Sequence, residues 1–130
     1  PLLAQEGPRE PGGRPISTLL TGAQEVPGPG DSDGTGTADL TLNAGQGQVC
    51  WNLSVAGIDT ATAAHIHRGE SGEAGPVVVT LSAPADGSSH GCADADRDLI
   101  KEILQTPGQF YVNVHNAEYP SGAIRGQLGR

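Results

Sequence analysis

The sequence predicts an all-β domain, an antiparallel sandwich or barrel carrying one short helix. Three observations lead there. Short segments in which apolar and polar residues alternate recur along the chain. The 20 glycines and 10 prolines fall largely at the N-terminus and between those segments, where turn formers belong. Only one stretch, residues 94–106, breaks the two-residue period, placing Leu99, Ile100, Ile103 and Leu104 at helical spacing before Pro107 and Gly108 end it.

Taken in order, residues 1–15 hold Pro1, Pro8, Pro11 and Pro15 among glycines and read as a flexible leader or linker. The folded domain is expected over residues 16–130. Residues 16–21 form the first strand, and 22–34 a Gly/Pro/Asp loop. Residues 36–42 alternate, with Ala38, Leu40 and Leu42 on one face. After a turn at 43–47, residues 48–55 put Val49, Trp51, Leu53 and Val55 inward and Cys50, Asn52 and Ser54 outward. Residues 62–67 and the β-branched run at 76–82 are further strands, separated by a turn region at 69–75. The predicted helix bridges to strands at 110–115 and 123–128. It is expected to cover one open end or edge of the barrel. There is no internal repeat.

A chain of 130 residues fits one domain. Its net charge of −8 and pI near 4.7 argue against bulk electrostatic binding to nucleic acid or an anionic membrane. No apolar run approaches the roughly 18 residues that span a bilayer. Pro1, in place of an initiator methionine, is expected of a processed or trimmed chain.

The two cysteines, Cys50 and Cys92, either pair or remain thiols. Cys50 lies on the polar face of its strand and Cys92 in a polar loop, so neither has the setting of a core thiol. Pairing would close a loop worth roughly 4 kcal/mol in the chain-entropy model. It would place the chain in an oxidising, extracytoplasmic compartment: periplasm, cell surface or secreted.

The chemistry concentrates in four histidines: His65, His67, His90 and His115. His65 and His67 are two apart in one strand and share a face, while Ala64 and Ile66 take the core side. His115 ends a strand whose Phe110, Val112 and Val114 point inward, so it too faces out. An outward His-x-His is often only a polar surface; a third histidine of matching parity turns the balance toward a metal site. His90, in a Ser-rich loop, is either a fourth ligand or an exposed loop residue. Imidazole suits copper and zinc, whereas calcium and magnesium require oxygen. There is no methionine, and if the cysteines pair there is no free thiolate, which removes a soft Cu(I) cage and a blue-copper site. Copper is the expected metal, with zinc as the alternative. Arg125, outward in the last strand, could guide a small anion to it, and Glu25 and Asn116 are supporting polar candidates. Arg68 reads as a solvated charge. The serines show no nucleophile elbow. Asp31 and Asp33 lack the length and later Glu of a calcium loop.

Several motifs together resemble a CHRD domain: Gly22-Ala23-Gln24-Glu25-Val26-Pro27, Ala64-His65-Ile66-His67, Gly75-Pro76-Val77-Val78, Tyr111-Val112-Asn113-Val114-His115-Asn116, and Gly122-Ala123-Ile124-Arg125-Gly126-Gln127-Leu128. The resemblance covers about residues 17–128. The family takes its name from chordin and also occurs in bacterial extracytoplasmic proteins. The order of His-x-His, a strand ending in His, and a late Arg is also similar to copper/zinc superoxide dismutases, which implies a Greek-key barrel. In that resemblance His65, His67 and His115 match copper ligands, and Arg125 matches the residue that guides superoxide. Four histidines cannot build both metal sites of that family, so the likeness is to its copper-only members. Two functions follow as expectations. One is a copper protein, redox-active on superoxide or copper-buffering. The other is a metal-free extracellular interaction module. Either could be a homodimer.

Overall fold

The computed structural model of the chain describes residues 13–129. It contains eight strands: β1 (Arg14–Thr21), β2 (Thr35–Asn43), β3 (Gln48–Ala56), β4 (Ala61–Arg68), β5 (Val77–Leu81), β6 (Ser88–Asp94), β7 (Phe110–Asn116) and β8 (Ile124–Gln127). One helix, α1 (Arg97–Gln105), lies between β6 and β7. All pairings are antiparallel, in the order β5-β4-β7-β8-β1-β2-β3-β6. The sheet curls until its two end strands meet, giving a nearly closed barrel. Across that seam β5 and β6 share no ladder; Ser89 Oγ instead donates to Ser82 O at 2.8 Å. The pairings β3–β6 and β4–β7 join strands that are not consecutive, which is the Greek-key feature of the topology.

Alternation decides which face closes on itself. Leu20, Leu40, Leu53, Ile66, Val112 and Ile124 point into the barrel and are fully buried. Each contributes on the order of 1.5–3 kcal/mol by leaving water. The helix does what its spacing predicts: Ile100 and Ile103 are buried against the end formed by β2 and β3. Asp96 caps it, accepting from the backbone N–H of Asp98 and Leu99.

Two expectations are revised. Residues 88–93, read as a polar loop, form strand β6 together with Asp94, which the expected helical stretch had included. Its inward positions are Ser89, Gly91 and Ala93, too small to show a hydrophobic alternation. Gly91 is required there because a Cβ would stand 2.9 Å from the Trp51 indole. β1 begins at Arg14, two residues inside the expected leader, with Arg14 opposite Leu42. The rest of the expected leader, residues 1–12, lies outside the described residues. The cysteines do pair: Cys50 and Cys92 stand directly opposite each other on β3 and β6 and form a disulfide.

Candidate metal centre

The register assembles the site. On the outer face of the sheet, His65 of β4 lies opposite Asn113 of β7, which lies opposite Arg125 of β8. The neighbouring row runs His67, Tyr111, Gln127, and His115 lies opposite Ala63. Strand parity therefore puts three histidines on adjacent strands of one polar face. The β4–β5 register shifts between Ile66 and His67. Such bulges re-aim side chains.

The three imidazoles form a compact group, with their candidate ligand atoms all within 4.8 Å of one another. Ring centroids are 5.4 Å apart for His65–His67, 4.9 Å for His65–His115 and 6.0 Å for His67–His115. Backbone carbonyls hold two of the rings. His67 Nδ1 donates to Gly75 O at 2.9 Å, and His115 Nδ1 to Pro120 O at 3.0 Å. Each bond leaves the Nε2 lone pair for another partner. For His115 that partner is His65 Nδ1, at 3.1 Å. For His67 there is none among the described residues: its Nε2 is buried and unpartnered there, in a residue only 8% exposed. A carbonyl-anchored imidazole with a free Nε2, as at His67, is the usual arrangement of a metal ligand. Burial lowers the pKa of His65, and His115 and His67 beside it lower it further. Burial likewise depresses His115, partly offset by its bond to Pro120 O. Both therefore favour the neutral form that binds metal.

The other candidates fall elsewhere. His90 sits exposed on β6 opposite Asn52 and is not part of the group. Arg125 is on the expected face but is 1% exposed, so it is not the open anion guide that parity suggested. Its Nη1 donates to Glu73 O and its Nη2 to Glu70 O and Gln127 Oε1, at 2.8, 3.0 and 2.9 Å. The 69–75 loop folds over it, a coverage that strand alternation does not encode. Glu25 is buried beside Arg125 and Asn113, and burial pushes its pKa up to about 7 against their opposing influence. Its Oε2 and Asn113 Oδ1 have no hydrogen-bond partner among the described residues. Asn116 serves the following turn, with Nδ2 donating to Asp59 O and Oδ1 accepting from Tyr119 N. Arg68 pairs with Glu102 of α1 on the surface and lies over the Phe110 ring.

Sequence reasoning missed the supports. Tyr111 stacks flat on His67, with centroids 4.7 Å apart and planes at 3°. Its hydroxyl accepts from Gly75 N at 3.1 Å. The parity that places His115 outward also places Tyr111 and Asn113 outward, and that was the available signal.

No curated protein and no solved structure matches the chain. Residues 16–128 match the CHRD domain model, a span that contains all three clustered histidines, their supports and both cysteines; the chain belongs to the CHRD domain family.

Proposed function

We propose that this domain is an extracytoplasmic copper-binding module whose ligands are His65, His67 and His115. The observation that carries the reading is the buried Nε2 of His67, which has no partner among the described residues, on a ring grouped with two further imidazoles whose candidate ligand atoms all lie within 4.8 Å of one another. An unsatisfied polar atom at this depth costs on the order of 1–3 kcal/mol, a cost that a bound cation removes. An all-imidazole donor set accepts both copper and zinc; Cu(II) has the higher intrinsic affinity for it. The disulfide fits an oxidising compartment. Binding or buffering of copper needs only the three histidines. Superoxide chemistry would also need a cationic approach, and buried Arg125 does not provide an open one. Copper holding is therefore the preferred reading.

Copper titration of the purified domain beside the His65→Ala/His67→Ala double variant tests this. One tight equivalent that disappears in the variant is the expected result. Absence of tight copper in the unmodified protein overturns it. A metal-free interaction module is the second reading. It is favoured by Leu19, 67% exposed in an outer groove shared with Gly36 and Val55.

A further inference from the structure

Arg125 is the largest fully buried side chain in the described residues, and its charge has no place in the hydrophobic core. What it touches gives it a use. Two of its nitrogens hold the carbonyls of Glu73 and Glu70. Gln127, which also accepts from Arg125, donates through Nε2 to Gly69 O at 2.6 Å. Residues 70–74 of the loop these groups hold are exposed, and besides Arg125 and Gln127 it is tied through its backbone, by Gly69 N–H to Gln109 O and Arg68 N–H to Pro76 O at its base and by Glu73 N–H to Glu70 O within it. Its order must come from its backbone partners. The end of the same loop, Gly75, supplies the carbonyl that accepts from His67 Nδ1 and the N–H that donates to the Tyr111 hydroxyl. Arg125 closes the circuit by lying 3.4 Å from the centroid of the Tyr111 ring, against which His67 is stacked. β4 and β8 flank β7, so His67 and Arg125 reach Tyr111 from neighbouring strands on either side.

We propose that Arg125 is a positioning residue for His67, fixing the tautomer and ring plane of that ligand through Tyr111 and the 69–75 loop. The proposal rests on the copper-site reading above for its function, though not for its geometry. A planar guanidinium can lie on a ring and direct donors along two edges at once. A lysine ammonium cannot, so Arg125→Lys keeps the charge and loses the clamp.

The test reads the metal-free and copper-loaded domain in parallel. Nitrogen-15 NMR of the metal-free protein reports which His67 nitrogen carries the proton. The expected result is a fixed Nδ1–H form in the unmodified domain and tautomer averaging in Arg125→Lys. Copper affinity should fall about 10–100-fold, as for other partners that orient metal-bound imidazoles. The Cu(II) EPR spectrum should change with it. Tyr111→Phe removes only the hydroxyl that holds Gly75 N, and should shift both readouts in the same direction. If Arg125→Lys does not fold, Arg125→Gln, which keeps a donor for the loop carbonyls and removes the stacked guanidinium, decides by the same two readouts. An unchanged tautomer and unchanged copper affinity in the folded variant would overturn the positioning role. A tautomer lost on substitution in a domain that binds no copper would overturn the metal reading and leave the positioning role intact.

Discussion

Glu25 offers a test of the buried polar layer that does not depend on metal. Its carboxyl is pushed from 4.5 to about 7, mainly by burial, with Asn113 and Arg125 acting in the opposite direction. A group whose folded pKa is raised holds its proton longer in the folded than in the unfolded chain. Its contribution is therefore most favourable at low pH. It declines as pH rises from about 4.5, and it levels off above about 7. At about 1.4 kcal/mol per pH unit, that interval makes the ionised form about 3 kcal/mol less favourable in the folded protein. Glu25→Gln keeps the shape and removes the titration. With metal chelated, urea denaturation of both proteins at about pH 5 and pH 8 should show the variant gaining about 2 kcal/mol on the unmodified domain between the two conditions. The histidines and remaining carboxylates are common to both proteins and cancel in the comparison. Parallel pH curves would refute the reasoning. A variant that loses ground at higher pH would mean that the Glu25–Arg125 attraction outweighs the burial of the charge.

Two further outcomes are expected. His115→Ala should weaken copper binding at least 10-fold, a conservative figure for a lost ligand given what lost partners of ligands cost, whereas His90→Ala should leave the isotherm unchanged, because His90 stands outside the histidine group. Calorimetric titration distinguishes them, and an effect at His90 would require a fourth ligand. Replacing Cys50 and Cys92 together by alanine opens a loop of sequence separation 42. It should cost up to about 4 kcal/mol of stability in denaturant melts. Copper affinity at native temperature should be retained, since the disulfide joins β3 to β6 and the ligands sit on β4 and β7.

Seven of the eight strands and the helix were legible because their inward residues are large and apolar, as at Val49, Trp51 and Leu53 or Leu99, Ile100 and Ile103. β6 was not legible. A strand whose inward positions are Ser89, Gly91 and Ala93 has no hydrophobic period to detect, and the Trp51 side chain supplies the bulk that Gly91 lacks. The clustering of His65, His67 and His115 followed from parity alone, provided that β4 and β7 are neighbours. Local pattern cannot supply that adjacency, since 50 residues separate His65 from His115.

By itself, then, the sequence determined which face the residues of the seven legible strands take, because side chains along a strand alternate whatever the strand's neighbours are. It thereby determined the all-β class, the helix and the outward histidines. Only the tertiary structure decided what covers that outer face. The 69–75 loop folds over β7 and β8, converting an outward Arg125 into a buried clamp and engaging His67 through Nδ1, while His67 Nε2 has no partner among the described residues. Coverage depends on contacts between segments distant in the chain, and no periodicity within a segment encodes it.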